Sequence, residues 1–161
     1  MTDLTIRAAV PEDGPALVRL IHGLAAYEQQ SESCMIDEAA LRAGLFGPRP
    51  YAEAIVAEQA GQVLGYALFF GYFSPYPGVP SIFLEHLYVV PEQRGRGTGR
   101  ALLRRVAQIA VERGAGRLEW GVHRENGPAI GFYRALGATI VGGMLACRLD
   151  GDTLRRVAGE G

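Results

Sequence analysis

The sequence has few residues that could cross-link the chain or bind a metal. Its two cysteines, Cys34 and Cys147, are far apart and form no CxxC pair, and its three histidines lack metal-ligand spacing. We therefore expect neither a disulfide nor a metal site. No cross-link is needed, because a chain of 161 residues that is 48% hydrophobic buries roughly 70% of its unfolded surface. The sequence predicts one domain over residues 1–161.

The sequence also has no long apolar run and little net charge. No stretch reaches the roughly 18 apolar residues of a membrane span, and the start, MTDLTIRAAV, has no charged leader before a long apolar segment. Sixteen basic and seventeen acidic residues leave a net charge of -1, which does not favour binding to nucleic acid or to anionic membranes. We predict a soluble cytoplasmic protein with no nucleic-acid or membrane partner.

Hydrophobic periodicity alternates between the helical and the strand period along the chain. Helices are predicted over about residues 14–28, from Asp37 as N-cap, over 98–113 and over 128–136. Strands are predicted over 4–9, 54–58, 63–72, 82–90, 117–122, 138–141 and 145–149. Residues 74–81 contain three prolines and are predicted to form an irregular loop. This alternation indicates a mixed α/β domain.

The stretch VPEQRGRGTGRAL, residues 90–102, lies between a predicted central strand and a helix. Such a turn can bind an anion, because the first amides of a helix have no internal partner and carry the positive end of its dipole. Glycines let the backbone curl its amides toward one point, and arginines add formal charge. The alternating residues are Arg94, Gly95, Arg96, Gly97, Gly99 and Arg100. A phosphate group is the expected ligand.

Two familiar phosphate motifs do not fit this turn. A P-loop requires Lys and then Ser or Thr after its last glycine, whereas Arg100 and Ala101 stand there. A dinucleotide fingerprint requires GxGxxG. After Gly95 and Gly97 its last glycine would fall at position 100, which is Arg100 in this sequence. A solvated surface turn and an RGG-like RNA contact stay open as alternatives.

The pattern Arg94-x-x-Gly97-x-Gly99 after the strand LEHLYVVPEQ resembles the acetyl-CoA pyrophosphate loop of the GNAT superfamily of N-acetyltransferases. The segments TIRAAVPEDGPAL, LAAYE and NGPAIGFYRALGA resemble that superfamily's diamine (spermidine/spermine) acetyltransferase branch and its bacterial relatives. The resemblance extends over about residues 4–149. The loop indicates the superfamily; Tyr27-Glu28, Leu84-Glu85 and Asn126-x-Pro128 together indicate the branch.

This resemblance implies a central, mostly antiparallel mixed sheet of six or seven strands with about four helices, acetyl-CoA as cofactor, and a homodimer paired through C-terminal strands. It implies that backbone groups of three strand residues receive the pantetheine arm, that the loop amides hold the pyrophosphate, and that a residue at the start of the last helix contacts the cofactor. The implied cofactor-binding residues are Leu87, Tyr88, Val89, Arg94, Gly95, Arg96, Gly97, Thr98, Gly99, Arg100 and Asn126.

Acetyl transfer to an amine requires a base and an acid. An alkyl ammonium has a pKa of about 10.4 and must lose a proton before it attacks. Glu85 interrupts an apolar strand, where burial would make a carboxylate a better base, and the family position supports this role. Tyr133 matches the branch's proton-donating tyrosine, although a helical aromatic residue is by default a packing residue. We expect direct transfer in a ternary complex, with a backbone amide near Val89 meeting the developing oxyanion.

The acceptor is less clearly indicated. Tyr27 and Glu28 match the branch's amine-binding pair, and Glu85 adds negative charge for a cationic substrate. Two departures argue against a long polyamine: Ser74-Pro75-Tyr76 lacks the expected acidic residue, and His86 replaces the usual Asp after the glutamate. A diamine, a polyamine and a lysine analogue stay open as acceptors. Acetylation of a protein N-terminus or lysine, and a non-catalytic acyl-CoA-binding module, are the alternative functions.

Overall fold

A computed structural model describes residues 3–159, which divide after Gly121 into two units, residues 3–121 and residues 122–159. The first unit contains β1 (Thr5–Ala8), α1 (Gly14–Tyr27), α2 (Glu38–Phe46), β2 (Glu53–Gln59), β3 (Gln62–Ser74), β4 (Val79–Val89), α3 (Thr98–Glu112) and β5 (Arg117–Trp120). The second unit contains α4 (Gly127–Ala135) and α5 (Gly151–Val157).

The strands form one sheet in the order β1-β2-β3-β4-β5. The first three pairings are antiparallel, and β4 pairs with β5 in parallel. The parallel pair requires a crossover, which α3 supplies. The predicted mixed, mostly antiparallel sheet is thus confirmed, with five strands in the described residues instead of six or seven.

Helices α1 and α2 begin and pack as their sequences predict. The buried residues of α1 recur at helical spacing: Leu17, Leu20, Ile21 and Leu24. They form one apolar cluster with Leu41 of α2 and with Val56, Tyr66 and Tyr88 of the sheet. The Asp37 carboxylate accepts a hydrogen bond from the Ala40 amide at 2.7 Å, so the predicted N-cap of α2 is confirmed.

Helices α1 and α3 pack on opposite faces of the sheet. A Cβ atom added at Gly23 of α1 would lie 2.7 Å from the Tyr88 hydroxyl, so Tyr88 faces α1. The next residue, Val89, has its side chain 3.8 Å from a Cβ added at Gly99 of α3. Successive side chains of a strand point to opposite faces. The end of β4 therefore presents one face to each helix.

An ion-paired cluster joins β1 and β2 to the start of α1. The Arg7 guanidinium donates to both Asp13 carboxylate oxygens at 2.7 and 2.9 Å and to Glu58 at 2.7 Å. The Val10 amide also donates to Asp13, at 2.8 Å. These hydrogen bonds, with that of Arg7 the strongest, hold the pKa of the buried Asp13 below its usual value. The cluster fixes where α1 leaves the sheet edge.

The predicted loop over residues 74–81 is shorter than expected. Strand β3 extends to Ser74 and β4 begins at Val79, with Phe73 opposite Pro80. The Pro80 carbonyl accepts from the Gly116 amide, so the backbone of Pro80 points away from β3. The N–H group that proline lacks is therefore not required by the β3–β4 ladder. The irregular loop predicted over residues 74–81 is thus confined to residues 75–78.

The second unit differs from its prediction. Residues 138–141 and 145–149 were predicted as strands, but both segments are irregular, and most of their residues are exposed. A strand requires a partner for its backbone groups, and no strand described between residues 3 and 159 pairs with them. Helix α5 was not predicted; it begins after Asp150 and contains an Asp152–Arg155 ion pair of 2.6 Å.

The described residues add three findings on cross-links, metals and membranes. Cys34 and Cys147 are free. Within residues 3–159 there is no group of three or more His, Cys, Asp or Glu side chains placed to hold a metal ion. None of the helices in that range has the length and apolar character that a bilayer span requires.

Candidate active site

A β-bulge in β4 lies at Glu85. Leu68 of β3 is paired with His86, whereas the next residue, Phe69, is paired with Leu84. Glu85 is therefore the extra residue, without an opposite partner in β3. Bulges bend a strand and turn a side chain away from its regular direction, and they are frequent next to active sites. Glu85 is exposed, so the burial suggested by its apolar neighbours does not occur.

Beyond the bulge, β4 has a free edge. Its last pair with β5 is Leu84 with Trp120, while β4 continues to Val89. The Val90 amide donates to the Leu64 carbonyl; in an antiparallel ladder this register makes Tyr88 a hydrogen-bonded partner of Tyr66. Leu87 and Val89, at alternating positions, then direct their N–H and C=O groups away from β3. In the described residues no strand pairs with this edge.

This register separates the three strand residues that were predicted to bind the pantetheine arm. Leu87 and Val89 have outward backbone groups, as that role requires. The Tyr88 backbone instead pairs with β3, and its buried ring lies against α1. Strict alternation along β4 would have predicted that Leu87 and Val89 point outward and Tyr88 does not. The bulge at Glu85 interrupts that alternation, so the register could not be predicted from the sequence.

Arg94 is held by the end of β4 and by two tyrosines. Its Nε donates to the Val89 carbonyl at 2.9 Å. Its guanidinium carbon lies 4.8 Å from the centroid of the Tyr27 ring and 5.4 Å from that of Tyr88, within cation–π range. Arg94 therefore connects the glycine-rich turn to the end of α1, a contact that the sequence did not reveal.

The glycine-rich turn has the backbone shape of an anion cradle. Gly95 and Gly97 have φ angles of 72° and 88°, which favour glycine because a Cβ atom is strained there. Gly97 is the N-cap of α3, and no side chain caps that helix end. The first amides of α3 are thus open to an external acceptor. Arg96 and Arg100 are exposed and form no ion pair with any residue from 3 to 159.

Gly99 has a different role from the two preceding glycines. It lacks a positive φ angle, and an added Cβ would make an ordinary contact of 3.8 Å with Val89. Neither backbone strain nor crowding within the protein requires a glycine there. An absent side chain on the first turn of α3 instead leaves room for a ligand to approach the backbone.

The predicted acceptor residues lie around the end of α1 and the bulge. Tyr27 ends α1, its side chain is 50% exposed, and Glu28 follows as the C-cap. The carboxylates of Glu28 and Glu85 both act electrostatically on the His86 imidazole. The structure thus brings two acidic side chains from separate elements to one region of the sheet.

His86 and Tyr66 form a pair that the sequence did not predict. The Tyr66 hydroxyl lies 2.8 Å from His86 Nδ1, and the rings meet edge-on with centroids 5.9 Å apart. Burial lowers the pKa of His86 from its ordinary 6.5, against the opposing effect of Glu85 and Glu28. Burial also raises the pKa of Tyr66. Both groups are therefore neutral at pH 7.

Two predicted site residues lie in the second unit. The Asn126 side chain caps α4, accepting a hydrogen bond from the Ala129 amide at 3.3 Å. Tyr133 is a buried residue of α4 that is 9% exposed, and its ring centroid is 5.3 Å from that of Phe132. This hydrogen bond fixes the Asn126 side chain at the N-terminus of α4.

A bulged strand with a free edge, followed by an anion cradle at the start of a helix, fits an acyl-CoA-dependent transferase. Residues 19–138 match the Acetyltransferase (GNAT) family. The chain is 37% identical over 171 residues to a thialysine N-epsilon-acetyltransferase of Bos taurus, covering 99% of this chain and all of the relative. An L-ornithine N5-acetyltransferase of Arabidopsis thaliana is 26% identical over 197 residues, and the match covers 94% of this chain and 86% of that relative.

A solved structure has a similar fold. An integron cassette protein from the mobile metagenome of V. cholerae superposes with a TM-score of 0.81 at 25% identity, covering 98% of each chain. The chain belongs to the GNAT family and is an N-acetyltransferase with acetyl-CoA as its acetyl donor. The uncapped start of α3 and the positive φ angles of Gly95 and Gly97 fit a pyrophosphate.

Proposed function

We propose that this enzyme transfers the acetyl group of acetyl-CoA directly to a primary amine of a small molecule in a ternary complex. The observation that supports this acceptor class is the placement of Glu28 and Glu85, whose carboxylates act on the same imidazole although they come from the end of α1 and from β4. Two negative charges in one region attract a cationic amine. Glu85 directly precedes the free edge of β4, which supports an acceptor bound near the proposed acyl donor.

The cofactor is held mainly by backbone groups in this proposal. The amides of residues 95–100 bind the pyrophosphate, with Arg96 and Arg100 adding charge. The outward N–H and C=O groups of Leu87 bind the pantetheine arm as a strand edge binds a peptide, and Val89 contacts the thioester end of the cofactor. Since Arg94 occupies the Val89 carbonyl, the Val89 amide is the group left for the developing oxyanion. Family position supports a contact of Asn126 with the cofactor.

The chemical roles fall to Glu85 and Tyr133. Acetyl-CoA supplies a thioester, which an amine attacks only after losing its proton. Glu85 accepts that proton, directly or through one water, because its carboxylate is exposed at the bulge. The Tyr133 hydroxyl gives a proton to the departing sulfur, since a phenol is protonated at neutral pH. Family position supports the Tyr133 role.

The proposal extends to the domain organisation and to the oligomeric state. The family match crosses the boundary between the two units, which supports one acetyltransferase domain over residues 1–161. Val141, Met144 and Leu145 are 79–90% exposed in the irregular segment, and such apolar side chains suit a contact with a second copy. A homodimer and a cytoplasmic location both stay predictions.

Acceptor candidates come from the relatives. Proteins similar to this chain are named for thialysine, for L-ornithine and for spermidine or spermine. A panel of putrescine, spermidine, lysine, ornithine and thialysine should therefore be assayed for acetyl-CoA-dependent thiol release. We expect release with at least one of them and an acetylated amine by mass spectrometry.

Two other results would contradict the proposal when protein substrates are assayed beside the panel of amines. Thiol release only with protein substrates would indicate a protein acetyltransferase. Because the chain contains no lysine, any acetyl-lysine detected in that assay comes from another protein. Binding of acetyl-CoA without release with any amine would indicate a non-catalytic module.

A further inference from the structure

The His86 imidazole is a partly buried group that the proposed acetyl transfer does not use. It follows the bulge residue Glu85 in β4 and is hydrogen-bonded to Tyr66 of β3. We propose that His86 is a specificity-determining residue, which Tyr66 holds as a neutral N–H donor for the carboxylate of an amino-acid acceptor. This inference rests on the proposed function, since it concerns which small amines that site accepts.

The Tyr66 hydroxyl determines which imidazole nitrogen carries the proton. The Tyr66 side chain is fully buried, and His86 Nδ1 is its only hydrogen-bond partner among residues 3–159. A buried O–H group is left unsatisfied unless it donates, so it donates to Nδ1. An accepting Nδ1 carries no proton, and the neutral ring then has its proton on Nε2.

The same hydrogen bond opposes a charged imidazole. A protonated ring would donate from both nitrogens and would leave the Tyr66 hydroxyl without an acceptor. Burial of His86 acts in the same direction by lowering its pKa, and it outweighs the carboxylates of Glu85 and Glu28. His86 is therefore a fixed N–H donor at neutral pH.

The Nε2 atom is open to an external partner. Within residues 3–159 it has no hydrogen-bond partner. No buried side-chain nitrogen or oxygen in that range lacks a partner, so Nε2 must be reached by solvent. Glu85 precedes His86 at the bulge of β4 and is exposed, so the open Nε2 lies on the residue next to the proposed base.

An N–H donor distinguishes two kinds of amine. An acceptor with a second ammonium group would place donor against donor at His86, whereas a carboxylate oxygen accepts the Nε2 hydrogen bond. An amino acid such as ornithine supplies both ends: its side-chain ammonium faces Glu28 and Glu85, and its carboxylate binds His86. Putrescine is ornithine without that carboxylate, and cadaverine is related to lysine in the same way.

The test compares these matched acceptors in the full-length enzyme. We expect the wild type to have a kcat/KM about tenfold higher for ornithine than for putrescine, and similarly for lysine over cadaverine, as for a hydrogen bond to a charged group. His86→Asn keeps an acceptor for Tyr66 but withdraws the donor from the Nε2 position, and it should reduce both ratios to near one. His86→Gln places an amide N–H near the Nε2 position and should keep most of the preference.

Two further variants distinguish specificity from structure. His86→Asp should reverse the ratio in favour of putrescine, because a carboxylate repels the acceptor's carboxylate and attracts its second ammonium. Tyr66→Phe removes the positioning hydroxyl and should reduce the ratio several-fold without changing the KM for acetyl-CoA. Thermal unfolding of each variant, with acetyl-CoA bound, is the control measurement of whether the fold is kept.

The outcomes separate this inference from the proposed function. No preference in the wild type, or an unchanged ratio in His86→Asn, would overturn the role of His86 while thiol release with these amines still supports the function. Thiol release with none of the amines in the wild type would overturn both. If His86→Gln unfolds, the wild-type ratios and the Asn variant still decide the question.

Discussion

The glycine-rich turn before α3 and the region around His86 differ in the groups that they offer to their proposed ligands. The turn uses backbone amides, positive φ angles and an uncapped helix end within residues 94–100. The His86 region uses side chains from three separate elements, with Tyr66 from β3, Glu28 from the end of α1 and Glu85 from the bulge of β4. Backbone recognition is encoded locally, whereas side-chain recognition depends on how the elements pack.

The difference also concerns what each region can discriminate. A pyrophosphate is the same in every acetyl-CoA molecule, so a fixed cradle of amides is sufficient for it. Acceptor amines differ in charge and length, and a set of side chains can be altered one residue at a time. We therefore expect substitutions in the turn to change cofactor binding, and substitutions around the bulge to change acceptor use and turnover.

Glu85→Gln should cause the largest loss. Removing the base should lower the kcat/KM for the acceptor about a hundredfold at pH 7, with the Kd for acetyl-CoA unchanged. The deficit should shrink as the pH approaches about 10, because more of the amine is then deprotonated in water. Steady-state kinetics over pH, with calorimetric cofactor binding as control, measure this. Equal turnover at pH 7 would show that Glu85 is not the base.

Tyr133→Phe comes next. It should lower turnover at least tenfold, because the departing sulfur loses its proton donor. Cofactor affinity should be kept, since the proposed role of the hydroxyl is in the chemical step. Single-turnover thiol release together with calorimetric binding of acetyl-CoA tests this separation. A variant with wild-type turnover would rule out the acid role and leave Tyr133 as a packing residue.

Gly97→Ala and Gly99→Ala should separate two uses of glycine in the turn. At Gly97 the φ angle of 88° should cost the alanine variant about 1 kcal/mol of unfolding free energy and raise the acetyl-CoA KM several-fold. Gly99 has no positive φ angle, so its alanine variant should keep its stability. Its KM for acetyl-CoA should still rise, because the methyl group blocks approach to the backbone. Urea unfolding and initial-rate kinetics are the measurements.

One result for these glycine variants would contradict the assignment of the turn to the cofactor and of the His86 region to the acceptor. If either alanine variant changed the preference among amines while leaving the acetyl-CoA KM unaltered, the turn would be part of the acceptor site. The acceptor KM is therefore the control measurement for both variants.

The smallest effect concerns stability and pH at His86. The pKa of His86 is lowered in the folded protein from 6.5, so above pH 6.5 the residue is neutral in both states and its contribution is complete. As the pH falls below 6.5, the unfolded chain takes up a proton first and folded stability declines. The wild type should lose Tm relative to His86→Asn between pH 7 and pH 5. A constant Tm difference would contradict this titration.

The sequence predicted most of the first unit, for identifiable reasons. Helical spacing in α1 and Asp37 before α2 are local signals, and both were confirmed. The strands predicted over 54–58 and 63–72 were also confirmed as parts of β2 and β3. The prediction failed for residues 138–149, which are apolar enough for strands but have no strand partner in the described chain. Strand formation depends on a partner that local sequence does not contain.

By itself, the sequence determined the glycine-rich turn. Positive φ angles and an uncapped helix N-terminus require glycines at particular neighbouring positions, so this feature is encoded locally. It also determined the amphipathic helices that cover the sheet. Only the tertiary structure decided the register that makes Glu85 a bulge, the outward direction of Leu87 and Val89, and the bond between Tyr66 and His86. These features arise from pairing between strands, and a one-residue shift of register would remove them.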